Sequence, residues 1–155
     1  SGQFPIRDIK SYIAKLGVKT FLDGDSLNSD PILTFSLIQY KNWRPLYQGN
    51  RLHIDHIFPK SKKSELDEKA QRYIDSIWNK YVVFQGDNIS KGAVFPEDYF
   101  RYEREGLLED YILPIENKEL LKKENAYKCL LWRKSRIIEL FKEKLGISIV
   151  DKEPL

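Results

Sequence analysis

Methionine is absent from these 155 residues, cysteine occurs once and histidine only twice. A lone Cys129 excludes an intramolecular disulfide and any zinc or iron–sulfur centre built from several thiolates. One thiol in a chain of this size is the usage of a reducing compartment. No apolar run approaches the ~20 residues of a membrane span, and no charged-then-apolar leader opens the chain. A membrane partner is therefore not expected. Internal repeats and low-complexity stretches are missing too. The chain opens Ser1-Gly2 with no methionine, which is expected of a piece of a longer protein.

Apolar residues at 41% and aromatics at 13% supply enough material for one packed domain without staples. The net charge of +3 decides little, but the charges are segregated. Lys41, Arg44, Arg51, Lys60, Lys62 and Lys63 face one acid, Asp55, within 41–63. Residues 97–116 are acidic, and 118–144 are basic again. A basic segment of this kind favours a polyanionic partner, although a solvated surface is the commoner meaning of any single run.

Spacing predicts a helix from Pro5 to Leu16, ended by Gly17, and an irregular, turn-rich stretch over 17–28. A second helix is expected from Ser29 or Asp30 as cap, through Pro31, to about Trp43, closed by Pro45. Residues 51–57 alternate and read as a short strand. A helix follows from about Glu65 to Trp78, capped by Ser61 or Ser64, with Leu66, Ala70, Ile74 and Ile77 as its apolar stripe. Residues 79–85 carry the strongest strand signal. A short helix over 88–94, capped by Asp87, and helices over 97–108 and 117–145 complete the chain, with Gly146 as the last stop. The fold class expected is mostly α with a small two-stranded antiparallel β element.

Both histidines fall in Arg51-Leu52-His53-Ile54-Asp55-His56-Ile57-Phe58-Pro59. A buried apolar strand has no need of two imidazoles and a carboxylate, whereas a metal or acid–base site does. Asp55 is an oxygen ligand suited to a hard cation. His56 is a natural general base for a water nucleophile. Neighbouring side chains of a strand point different ways, so one can hold a metal while the other faces substrate. A second ligand must come from elsewhere. Asn88, at the start of the short helix, is the candidate, with Lys91 on the same face within reach of a phosphate oxygen. Taken singly these are ordinary residues. A lone His-x-Asp-His is at best an even bet, and Asn88 and Lys91 alone would be turn and surface positions. Trp43, Trp78, Trp132 and Cys129 read as core.

In combination, Asp55-His56-Ile57, Asn79, then Asn88 nine residues on and Lys91 three further on resemble the HNH (ββα-metal, His-Me finger) nuclease motif. Together with His53, Pro59, Trp78 and Val82, the pattern is similar to the C-terminal nuclease domain of GmrSD-type, modification-dependent (type IV) restriction proteins. The motif covers 53–91, and Phe84-Gln85-Gly86 departs from the more usual Leu-rich ending. The resemblance implies a single domain, 1–155. Its ββα-metal core over 51–95 would be enclosed by a helical part over 1–50 and C-terminal helices over 96–150. It implies a metal-dependent endonuclease that hydrolyses DNA, acting in anti-phage defence in the bacterial cytoplasm, with an N-terminal ParB-like nucleotidase domain in the parent protein. Asp55 and Asn88 would hold Mg²⁺ or Mn²⁺, and His56 would be the base. Asn79 would tie the loop to the second strand and help orient His56, and Lys91 would support the phosphate. His53 keeps two readings, a third ligand or a group that positions the phosphate or the site. Arg51, Lys60, Lys62 and Lys63 would grip the DNA backbone. The alternatives are an inactive nucleic-acid-binding or interdomain module with the same fold, and an RNA-directed toxin nuclease.

Overall fold

A computed structural model of the chain describes residues 24–39, 51–84, 91–101, 103 and 105–149. The expected helix over 5–16, residues 40–50 and the segment around Asn88 lie outside them. The described residues are mostly helical and carry one two-stranded antiparallel sheet.

The sheet pairs β1 (Leu52–His56) with β2 (Lys80–Phe84). Its register sets Ile54 against Val82, Asp55 against Tyr81 and His56 against Lys80. Strand alternation then sorts the side chains. Leu52, Ile54 and His56 belong to one face with Val82 and Lys80. His53 and Asp55 belong to the other with Val83 and Tyr81. Each face has its own core. Ile54 and Val82 join Phe35, Ile38, Trp78, Ile137 and Phe141. Tyr81 and Val83 join Phe58, Phe100, Leu113, Cys129 and Leu130.

Residues 24–29 form a short helix, α1 (Gly24–Ser29), where an irregular stretch is expected. It is docked by contacts that local sequence does not encode. The Thr34 hydroxyl donates to the Leu27 carbonyl at 2.6 Å, and Asn28 reaches Asp75. Helix α2 (Pro31–Gln39) begins as predicted. Asp30 Oδ1 accepts from the Leu33 amide, the bond an N-cap makes.

The expected helix over 65–78 is broken into three. A 3₁₀ segment (Lys60–Glu65) leads into α3 (Glu68–Arg72), and a 3₁₀ turn (Ile77–Asn79) follows. Asp67, not Ser61 or Ser64, caps α3 by accepting from the Ala70 amide. The α-helix ends at Arg72, where the Tyr73 and Ile74 amides turn back to the carbonyls of Ala70 and Gln71, and beyond it Asn79 Nδ2 donates to the Ile74 carbonyl. The apolar stripe survives: Leu66, Ala70, Ile74 and Ile77 are all buried.

Over 97–108 there are two helices instead of one, α4 (Pro96–Tyr99) and α5 (Glu105–Asp110). The helix expected from 117 begins as two 3₁₀ turns, and only α6 (Ala126–Leu145) is α-helical. Gly146 ends α6 with φ of 64°. Its amide bonds the Lys142 carbonyl while the Ile147 amide bonds that of Phe141, the left-handed stop glycine makes cheaply.

Helix α6 packs against α2, α3 and the Ile77–Asn79 turn. Arg133, on its buried face, is wholly enclosed. Its guanidinium donates to the carbonyls of Trp78, Tyr111 and Ile112. Arg133 thus belongs to the core and not to the basic face expected over 118–144. Ile112 itself sits at φ of 57°, a strained setting for a β-branched residue that must be imposed by its surroundings.

Candidate active site

The site is anchored by Asn79, fully buried at the end of the 3₁₀ turn. Its Oδ1 accepts from the Phe58 amide at 2.9 Å. Its Nδ2 donates to the carbonyls of Phe58 and Ile74 at 3.0 and 2.8 Å. The Asn79 carbonyl accepts from the Ile57 amide at 2.8 Å. Both ends of the residue therefore hold the loop that leaves β1 directly after His56.

On one face, Asp55 Oδ2 accepts from Lys91 Nζ at 2.8 Å and from the Tyr81 hydroxyl at 3.1 Å. Lys91 also donates to the His56 carbonyl at 2.7 Å. Its side chain is 1% exposed, and the ammonium lies 5.2 Å from the centre of the Tyr81 ring. Burial pushes the Lys91 ammonium below its ordinary value, against the pull of Asp55. Burial, with help from Asp55, holds Tyr81 far above the usual phenol range, so its hydroxyl stays a donor. Lys91, expected to support the phosphate, here pairs with Asp55 and a backbone carbonyl.

On the other side, His56 Nε2 meets Asp75 Oδ1 at 3.1 Å. Lys60 Nζ holds the second Asp75 oxygen at 2.8 Å. The hydrogen bond from Lys60 is the main reason the Asp75 carboxyl lies below its ordinary value. Across the sheet, Lys80 donates to Asn28 Oδ1 at 2.7 Å, and Asn28 Nδ2 donates to the Asp75 carbonyl at 2.9 Å.

The structure therefore brings Asp55, His56, Asn79 and Lys91 together, and Asn88 lies outside the described residues. His53 shares the face of Asp55 and is half-buried, opposite Val83. Arg51, Lys60 and Lys63 are exposed, and Lys62 lies 5.0 Å from the Phe95 ring centre. Sequence reasoning missed Asp75, Tyr81 and Asn28. Tyr81 was within reach of it, since an aromatic two residues past Asn79 on a paired strand falls opposite a residue of β1. Nothing in the sequence marks Asp75 or Asn28.

Among the described residues, no three His, Cys, Asp or Glu side chains gather as a metal cluster. On the Lys91 side the described site offers the carboxylate of Asp55, its side chain 20% exposed. That donor set fits a hard cation that keeps most of its water and takes further ligands from phosphate. It does not fit structural zinc. A cavity of about 640 Å³ between α6 and residues 109–120 is lined by none of the candidate residues. No helix of the described residues is long and apolar enough to cross a membrane. No protein-family model matches the chain, and no curated protein or solved structure is matched by it either.

Proposed function

We propose that the chain is an HNH-type, metal-dependent endonuclease that hydrolyses DNA phosphodiester bonds. As in the proteins it resembles, it would be the cleavage domain of a modification-sensing anti-phage restriction protein. There it would work in the bacterial cytoplasm beside an N-terminal ParB-like domain. The observation that carries the proposal is the meeting of Asp55, His56 and Lys91 around an antiparallel strand pair pinned by Asn79.

Asp55, with Asn88, would hold Mg²⁺ or Mn²⁺. The cation when bound supplies charge stabilisation to the phosphate and the leaving oxygen. His56 takes the proton of the attacking water. Tyr81 and Lys91 aim and neutralise the Asp55 carboxylate. His53, on the face of Asp55, would act on the same ligand or phosphate. Arg51, Lys60, Lys62 and Lys63 lie close to the site in the chain and supply the backbone grip, a term that weakens steeply with salt.

The Lys91–Asp55 pair also favours a second reading, an inactive nucleic-acid-binding module whose carboxylate is neutralised from within. Supercoiled plasmid separates the two. With Mg²⁺ or Mn²⁺ the parent is expected to nick and linearise it. EDTA or Asp55→Ala should abolish cutting. A chain that binds plasmid but leaves it intact with either metal supports the module, and cleavage of RNA alone supports a toxin nuclease.

A further inference from the structure

We infer that Asp75 is a positioning residue for His56, fixing the ring so that Nε2 carries hydrogen and Nδ1 is the basic nitrogen. Its catalytic consequence rests on the endonuclease reading, whereas its geometry does not. An ionised carboxylate has only lone pairs to offer. The 3.1 Å contact between Asp75 Oδ1 and His56 Nε2 therefore needs the hydrogen on Nε2, and in the neutral ring the lone pair then falls to Nδ1.

Asp75 is itself held from three sides. Lys60, just after β1, pairs with Oδ2. Asn28 of α1 holds the Asp75 backbone carbonyl and is held in turn by Lys80, which stands opposite His56 in the sheet. Asn79 fixes the preceding carbonyl, that of Ile74. Contacts from α1, the Lys60–Glu65 3₁₀ segment and the Ile77–Asn79 turn thus converge on Asp75 and the residue before it, beyond the reach of local sequence. The lowered Asp75 pKa keeps the group an acceptor.

In the reaction the water proton passes to Nδ1, and the hydroxide oxygen forms its bond to phosphorus as the leaving oxygen departs. The Nε2 hydrogen stays in place. Asp75 then faces an imidazolium and stabilises it, as an orienting carboxylate does.

Two readouts test this on the whole chain: ¹⁵N–¹H spectra of the His56 ring at alkaline pH, and plasmid nicking with kcat and KM separated. The parent should show hydrogen on Nε2. Asp75→Ala should mix the tautomers and lower kcat about 10- to 100-fold with KM for DNA within about twofold of the parent's. Asp75→Asn keeps an acceptor oxygen, so it should retain the tautomer and an intermediate kcat. Parent-like tautomer in Asp75→Ala, or a mixed tautomer with parent-like kcat, overturns the inference. If His56→Ala cuts as the parent does, the base is misassigned and the endonuclease reading fails at this residue. In a chain that cuts nothing, the ring spectrum still decides whether Asp75 fixes the tautomer.

Discussion

Removing the Asn79 carboxamide should unlock the whole site. Asn79→Ala takes away three hydrogen bonds, from the Phe58 amide and to the carbonyls of Phe58 and Ile74. Each is worth about 1 kcal/mol net, and each buried partner left unpaired costs about 1–3 kcal/mol. Water entering the vacated space recovers part of this, giving an expected loss of about 3–5 kcal/mol. For a chain of this length that is about 10 °C in Tm. Urea unfolding followed by the fluorescence of the adjacent, buried Trp78 measures it, with an unchanged m-value as the check on two-state behaviour. Asn79→Asp is the sharper variant. It keeps an acceptor for the Phe58 amide but turns a charged oxygen toward two carbonyls that need a donor. Its destabilisation at neutral pH should match or exceed that of the alanine variant. It should shrink as pH falls and the introduced carboxyl gains a proton it can donate. A loss below about 1 kcal/mol for Asn79→Ala, or no relief in acid for Asn79→Asp, would refute the claim that this side chain holds the β1 loop.

Two other side chains make comparable claims. Arg133→Met keeps much of the aliphatic volume but orphans two buried carbonyls and a part-buried one, and is expected to cost about 3 kcal/mol by urea titration. Parent-like stability would mean the clamp is dispensable. Cys129 is fully buried and its thiol is pushed up to about 12 by burial. It should stay inert to thiol reagents at pH 8 until the chain unfolds. Because its native pKa is raised, its contribution to stability is complete below the ordinary thiol range. It is lost above that range, as the unfolded thiol ionises first, which a comparison of Cys129→Ala with the parent from pH 8 to 11 would reveal.

The strand pair was readable because alternation and β-branched residues at 51–57 and 79–85 survive as β1 and β2. Asn79 is singled out by the resemblance to the HNH motif, nine residues before Asn88, and not by periodicity. What periodicity could not see is where a side chain takes over a backbone carbonyl. Helix 65–78 has the right stripe, and all four stripe residues are buried, yet the α-helix ends at Arg72 and the Ile74 carbonyl beyond it is taken by Asn79. Arg133 reads as a surface charge, but its carbonyl partners come from residues 21 to 55 positions away. Asp75 is an exposed acid 19 residues from His56. Only the three-part break of that helix brings the two together.

His56 is proposed to be the base of a metal-dependent DNA-cutting site. The most direct measurement is the nicking rate of His56→Ala against the parent on supercoiled plasmid. It should be run with Mg²⁺ or Mn²⁺ across the neutral pH range, with circular dichroism to confirm the fold. Parent nicking should require the metal and be abolished by EDTA. The variant should remain folded and lose at least about 100-fold. A His56→Ala chain that nicks at the parent's rate would contradict the account.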